Sequence, residues 1–96
     1  MSIPVILDTD IGTDVDDVWA LAFLLRCPEL DIRLITTATG DTRHRAALVA
    51  KILSIAGRDD VPIGVGLPLD PAPLGHVAWL GGYRLEDYPG PVYEDG

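Results

Sequence analysis

Residues 3–26 read IPVILDTDIGTDVDDVWALAFLLR, and their pattern indicates the fold class of the chain. Its first five residues form an apolar run without alternation, which is typical of a strand buried on both faces of a parallel sheet. After an aspartate-rich loop, apolar residues recur at three- and four-residue spacing between Val15 and Arg26, and Pro28 closes the segment. This spacing predicts an amphipathic helix, so the stretch is interpreted as strand, polar loop and helix.

The alternation of strand and helix continues downstream. Residues 31–38 are β-branched and partly alternating, which predicts a second strand. Residues 43–56 carry a second apolar helical face and end before Gly57, a residue suited to the position just after a helix. Residues 61–66 resemble a weaker third strand. The predicted fold class is therefore α/β, a Rossmann-like βαβαβ unit with a parallel sheet and right-handed crossovers.

The chain of 96 residues is long enough for one small domain. We expect residues 1–66 to form the βαβαβ core, which carries the aspartate-rich loop. Residues 67–96 are rich in proline and glycine and lack a clean helical or strand period. We expect them to be a loop-rich region of the same domain, of the kind that surrounds an active site.

The charge balance bears on the choice of partners. The formal net charge is −8, which disfavours nucleic-acid polymers and anionic membrane surfaces. No apolar run approaches the length of a membrane span, and the first residues do not resemble a signal peptide, so we expect a cytoplasmic location. Cys27 is the only cysteine, so an internal disulfide is excluded.

Two polar loops should lie side by side in this fold. Residues 8–14 follow the first predicted strand, and residues 39–41 follow the second. The carboxyl ends of parallel strands share one edge of the sheet, which is where open α/β sheets bind ligands. We therefore expect the two loops to be neighbours.

The first loop holds an unusual concentration of acid, made up of Asp8, Asp10, Asp14, Asp16 and Asp17. Helix capping and the helix dipole account for the last residues of the cluster. They do not account for Asp8 and Asp10, because a helix cap supplies few hydrogen-bond donors. Two carboxylates 4 Å apart repel by about 4 kcal/mol at an effective dielectric constant of 20. A bound cation would relieve this repulsion, and all-oxygen ligands favour Ca²⁺ or Mg²⁺. The spacing excludes an EF-hand, and the role of Asp14 stays open.

A phosphatase is one alternative for this cluster. In haloacid-dehalogenase-like enzymes an Asp-x-Asp pair follows the first strand, so Asp8 would be the nucleophile, Asp10 the acid/base and Mg²⁺ the cofactor. Against it, Gly12 stands where that class usually has Thr or Val, and the paired Asp16 and Asp17 are unexplained.

Two segments resemble a known family, the inosine/uridine-preferring nucleoside hydrolases. Residues 8–21, DTDIGTDVDDVWAL, are similar to the family's N-terminal signature, a first-strand Asp-x-Asp, a glycine and an Asp pair that opens the first helix. Residues 35–46, ITTATGDTRHRA, are similar to its second-strand segment, which ends in a glycine and a ribose-contacting polar residue. The resemblance covers residues 3–66, and it implies the N-terminal part of the nucleoside hydrolase fold.

The resemblance also implies roles for individual residues. Asp10 would be both a Ca²⁺ ligand and the base for the attacking water, and Asp17 would be a bidentate Ca²⁺ ligand. Asp16 would accept a hydrogen bond from a ribose hydroxyl, and Asp41 would contact ribose where many members have Asn. Asp8 would contact the residues that bind the metal and would not contact the metal itself.

The implied reaction is the Ca²⁺-dependent hydrolysis of ribonucleosides to ribose and free base. Because the transition state of such a reaction resembles a ribosyl oxocarbenium ion, nearby carboxylates stabilise it. Family members are several times longer, so the implied site is incomplete in 96 residues. A second alternative is therefore a non-catalytic metal- or ribose-binding module, and the family resemblance also suggests a homo-oligomer.

The histidines and tail aromatics are weaker candidates. His44 lies early in the second predicted helix between Arg43 and Arg45, a basic setting that favours a surface residue. His76, Trp79 and Tyr83 lie in the proline- and glycine-rich region, where packing is a better explanation than stacking on a base.

Overall fold

The structure is a computed structural model that describes residues 3–12, 16–67 and 77–94. Its centre is a four-stranded parallel sheet of β1 Ile3–Thr9, β2 Leu30–Thr37, β3 Ile63–Val65 and β4 Val92–Tyr93, ordered as in the chain. Helix α1, Asp16–Leu25, connects β1 to β2, and helix α2, Thr42–Ile55, connects β2 to β3. The predicted α/β class with a parallel sheet is confirmed.

Helix α2 provides most of the core. It buries one apolar stripe against β2 and β3, and its buried aliphatic residues are Ala46, Ala47, Leu48, Val49, Ala50 and Leu53. The helix ends as predicted at Gly57, whose φ of 74° lies in the left-handed region. The amides of Gly57 and Arg58 donate to the carbonyls of Ser54 and Leu53, which satisfies the last turn of the helix.

The prediction that strand β1 is buried on both faces of the sheet is wrong. Ile3 is 59% exposed and Ile6 is 67% exposed. The physical reason is topological, since β1 is an edge strand with β2 as its neighbour. Strands in chain order with right-handed crossovers also place their connecting helices on one face of the sheet, so α1 and α2 leave the other face uncovered within the part of the chain that the structure describes.

The proline- and glycine-rich region contains short elements that the sequence pattern did not predict. They are helix α3, Val77–Leu80, a 3₁₀ turn at Leu85–Asp87, and strand β4, which extends the sheet beside β3. The Tyr88 hydroxyl donates to the Val61 carbonyl at 2.7 Å, and Arg43 on α2 pairs with Glu86 and Glu94. These contacts attach the last described segment to the core.

No helix within residues 3–12, 16–67 and 77–94 is both long and apolar enough to cross a membrane.

Candidate carboxylate site

The candidate site lies at the carboxyl edge of β1 and β2. The last residues of the two strands, Thr9 and Thr37, are paired in register. Just beyond them, the Ala38 amide donates to the Thr9 carbonyl at 3.0 Å. The two polar loops predicted to be neighbours therefore begin side by side.

Asp10 and Asp17 come together at this edge. The amide of Asp10 donates to the Asp17 carboxylate at 3.0 Å, and the Thr9 hydroxyl donates to the same oxygen at 2.6 Å. The Thr9 hydroxyl in turn accepts from the Ile11 amide at 3.1 Å. Because Asp17 lies in the first turn of α1, this network fixes the start of that helix against the end of β1.

The two carboxyl groups perturb each other's titration. The pKa of Asp10 is raised above 3.8, first by its hydrogen bond with the Asp17 side chain and then by burial and by the Asp17 charge. The pKa of Asp17 is lowered below 3.8, first by the same hydrogen bond with Asp10 and then by the Thr9 hydroxyl. One member of the pair is therefore held ionised while the other retains its proton more readily, as is common where carboxylates share a site.

Asp8 and Asp16 are the other two acids of the cluster that the structure describes. Asp8 accepts a hydrogen bond from the Thr36 hydroxyl at 2.8 Å, across the paired strands β1 and β2. Its neighbour Thr9 is buried and points to the opposite side of the strand, as alternate residues do. Asp16 is exposed and opens α1 immediately before Asp17.

Asp41 lies on the second loop, where it begins helix α2. Its carboxylate accepts a hydrogen bond from the His44 amide at 3.0 Å, so it is the N-cap of the helix. The preceding residues, Thr39 and Gly40, both have left-handed backbones, with φ of 75° and 65°. Glycine adopts this conformation readily, but a β-branched threonine does so at a cost, so the turn that leads into Asp41 is strained.

We expect Thr39→Asn to stabilise the protein, because asparagine tolerates the left-handed region that threonine avoids. The gain should be about 1 kcal/mol in the free energy of unfolding, measured by urea denaturation. Thr39→Val keeps the branched side chain and should give no gain. Equal denaturation midpoints for the two variants would show that the turn carries no strain.

The residue that sequence reasoning missed is Arg45. The basic setting around His44 suggested a surface, yet Arg45 is 0% exposed. Its Nη1 donates to the carbonyls of Asp10 and Ile11 at 2.7 and 3.0 Å, and its Nε donates to the Thr39 carbonyl at 2.6 Å. A signal was available, since Arg45 stands four residues before Val49 on the apolar stripe of α2.

The side chains at this edge offer oxygen ligands, which are the kind that hard divalent cations prefer. Asp10 and Asp17 supply carboxylate oxygens, which Ca²⁺ and Mg²⁺ prefer, while Zn²⁺ favours nitrogen or sulfur. Within the described ranges, no group of three or more His, Cys, Asp or Glu side chains is arranged to hold a metal ion. Ca²⁺ takes 6–8 oxygens, which is more than the carboxylates of Asp10 and Asp17 provide.

The remaining candidates divide between packing residues and residues outside the description. The Tyr83 hydroxyl lies 3.0 Å from the Ser54 Oγ on α2, and the side chain packs against the core. Trp79 is 46% exposed. His76 and Asp14 lie outside the described residues.

Together, the fold and the site define an α/β protein with a carboxylate pair at the carboxyl edge of its parallel sheet. A sequence profile of the family described as "Inosine-uridine preferring nucleoside hydrolase" matches residues 5–84. The chain belongs to this family. The match extends past the resemblance noted at residues 3–66 and includes α3. The Asp-x-Asp pair of the phosphatase alternative lies within the matched segment, so the match favours the nucleoside hydrolase resemblance over that alternative.

Curated relatives agree with this assignment. The chain is 40% identical over 70 residues to the pyrimidine-specific ribonucleoside hydrolase RihA of Photobacterium profundum. It is 37% identical over 68 residues to RihA of Citrobacter koseri, and 35% identical over 68 residues to RihA of Escherichia coli. Each alignment covers 69% of this chain and 21% of the relative. The chain thus spans about one fifth of the length of these relatives.

Proposed function

We propose that this chain forms the metal- and ribose-binding part of a Ca²⁺-dependent nucleoside N-ribohydrolase. The observation that carries the proposal is the Asp10–Asp17 pair, which lies beside the loop of Asp41 at one sheet edge in a member of this family. Ribonucleosides are the proposed substrate class, and ribose and free base are the proposed products. A cytoplasmic location and a homo-oligomeric assembly remain predictions.

In this proposal Asp10 and Asp17 hold the metal ion. When bound, Ca²⁺ would supply positive charge that orients a water molecule and the ribose hydroxyls and lowers the pKa of that water. Asp17 is suited to be a ligand because its carboxylate is held ionised and is fixed by the Thr9 hydroxyl and the Asp10 amide. Asp8 would stiffen the end of β1 through its bond with Thr36.

Asp10 is the proposed catalytic base. As the attacking water forms its bond to the anomeric carbon, Asp10 takes up one proton from it and the bond from that carbon to the nucleobase nitrogen breaks. The nucleobase leaves with the electron pair of that bond and takes its proton from solvent. In the metal-free chain the pKa of Asp10 is raised, first by its hydrogen bond with Asp17. The negative charge of the pair also stabilises the positive charge that develops on the ribosyl group.

Asp16 and Asp41 are the proposed ribose contacts. Both carboxylates accept hydrogen bonds, and a ribose ring presents hydroxyl donors at adjacent carbons. Asp16 opens α1 and Asp41 opens α2, so the two loops would approach the sugar from neighbouring strands. The named relatives act on pyrimidine ribonucleosides, which makes uridine and cytidine the first nucleosides to test.

The ribose part of the proposal is tested by NMR on the ¹⁵N-labelled chain with Ca²⁺ present. We expect added ribose to shift the amide signals of Asp16, Gly40 and Asp41 in a saturable manner. The matched control is 2-deoxyribose, which lacks one of the two adjacent hydroxyls and should give weaker shifts at the same concentration. Identical responses to the two sugars, or no response at these amides, would contradict a ribose site. Shifts caused instead by inorganic phosphate with Mg²⁺ would also contradict it.

A further inference from the structure

We propose that Arg45 is a positioning residue, which fixes the main chain at the ends of β1 and β2 and thereby holds the acid pair and Asp41 in one site. The inference rests on the proposed function and extends it to a residue of α2 that lies beneath the site. Neither the family match nor the named relatives assigns a role to this arginine.

Arg45 makes hydrogen bonds to both polar loops. The guanidinium of Arg45 donates to carbonyls of two separate loops, to Asp10 and Ile11 after β1 and to Thr39 after β2. These three bonds use two nitrogens of one rigid planar group. Lysine has a single nitrogen on a flexible stem and cannot hold the same three acceptors in a fixed relation. Arg45 therefore sets the distance between the two loops.

Burial of the Arg45 side chain is costly to the fold. Arg45 is 0% exposed, and its Nη2 has no hydrogen-bond partner within residues 3–12, 16–67 and 77–94. A buried charge whose donors are incompletely satisfied disfavours folding, and an apolar residue of similar volume is often the more stable choice. Stability alone therefore does not explain an arginine here, whereas a positive charge beneath two carboxylates offsets their repulsion.

Arg45 also holds the strained turn at Thr39. The Thr39 carbonyl that Arg45 holds belongs to a residue with a φ of 75°, and Asp41 follows two residues later. Strained backbone persists where surrounding contacts determine it. The bond from Arg45 is such a contact, so the arginine controls the direction in which the second loop presents Asp41.

The test compares Arg45→Lys with Arg43→Gln, a matched control on the same helix. Arg43 pairs with Glu86 and Glu94 and makes no bond to either loop within the described part of the chain. The first readout is amide hydrogen exchange by NMR. In Arg45→Lys we expect faster exchange at Asp10 and Ile11, whose amides bond to the Asp17 carboxylate and the Thr9 hydroxyl. Exchange at Ile35 and Val49, in the core, should stay as in the unmodified chain.

The second readout is Ca²⁺ affinity by calorimetry, which we expect to fall about tenfold in Arg45→Lys and to be unchanged in Arg43→Gln. Arg45→Met, which fills the same space without donors, should show the same local exchange pattern and a larger loss of affinity. Uniformly faster exchange throughout the chain would show a merely structural role and would overturn the proposal. Unchanged exchange at Asp10 and Ile11 would do so as well. If the unmodified chain binds no Ca²⁺, the proposed function fails, while the exchange pattern still decides the role of Arg45.

Discussion

Asp10→Asn is expected to raise the free energy of unfolding at pH 7 in the absence of metal, while it removes Ca²⁺ binding. The carboxyl groups of Asp10 and Asp17 interact directly, and the pKa of Asp10 is raised, first by that hydrogen bond. Once Asp10 is ionised, two carboxylates therefore face each other without a proton between them. The introduced amide is neutral and donates a hydrogen to Asp17 at every pH, which Asp10 does only when it is protonated.

The pH dependence of this effect has a definite sign. Because the pKa of Asp10 is higher in the folded chain than its ordinary value of 3.8, the folded state binds more protons than the unfolded state between the two values. The contribution of Asp10 to stability is thus present below pH 3.8 and is lost as the pH rises through the folded-state pKa. The advantage of Asp10→Asn should be largest at pH 7 and should vanish near pH 3. Thermal melts at both pH values measure it, and a lower melting temperature at pH 7 would contradict the repulsion.

Asp17→Asn is expected to have the opposite effect on stability and the same effect on the metal. Asp17 accepts hydrogen bonds from the Thr9 hydroxyl and the Asp10 amide on one oxygen, and its charge strengthens both. Replacing the carboxylate by an amide removes that charge, so we expect a loss of about 1 kcal/mol in the free energy of unfolding at pH 7. Urea denaturation of the metal-free chain measures this loss.

The loss in Asp17→Asn should shrink in acid. The pKa of Asp17 is lowered in the folded chain, first by the hydrogen bond with Asp10, so its contribution is present above the ordinary value of 3.8. That contribution disappears as the pH falls through the lowered folded-state pKa. If Asp10→Asn and Asp17→Asn changed stability in the same direction at pH 7, the two acids would not have the distinct environments described above.

If Asp10→Asn and Asp17→Asn change the free energy of unfolding in opposite directions while both lose Ca²⁺ binding, metal binding and fold stability depend on these acids in different ways. A carboxylate pair that repels in the absence of metal is a local cost to the fold, and functional sites often carry such costs. Thr9 and Arg45 reduce this cost through a hydroxyl donor and a buried positive charge. The strained backbone at Thr39 belongs to the same edge of the sheet.

The sequence alone was sufficient to predict the first three strands and the two polar loops that share one edge of the sheet. Strands β1 and β2 and helix α2 have strong local patterns, and parallel pairing then brings the loops after Thr9 and Thr37 together. Strand β4 has two residues, so its pattern carries no period, and its place depends on contacts distant in sequence. The exposure of β1 depends on what covers the sheet, which a local apolar run does not encode.

Within the site, the acids were visible in the sequence and the residue beneath them was not. Asp10, Asp16, Asp17 and Asp41 stand in recognisable spacings after predicted strands. Arg45 contacts main-chain carbonyls 34 and 35 residues away, and carbonyls have no sequence signature. The available signal was the position of Arg45 on the apolar stripe of α2, four residues before Val49, but it did not indicate which carbonyls the side chain contacts.

Calorimetric titration of the chain with Ca²⁺ measures directly whether Asp10 and Asp17 form a metal site. We expect saturable binding with a dissociation constant on the order of 10⁻⁴–10⁻³ M, since Asp10 and Asp17 provide fewer oxygens than the 6–8 that Ca²⁺ takes. We also expect binding to disappear in both Asp10→Asn and Asp17→Asn and to persist in Arg43→Gln. At 100 times the dissociation constant, Ca²⁺ should add about 2.7 kcal/mol to the free energy of unfolding. No binding at millimolar Ca²⁺, or equal affinity in the unmodified chain and both aspartate variants, would contradict a metal site at this edge.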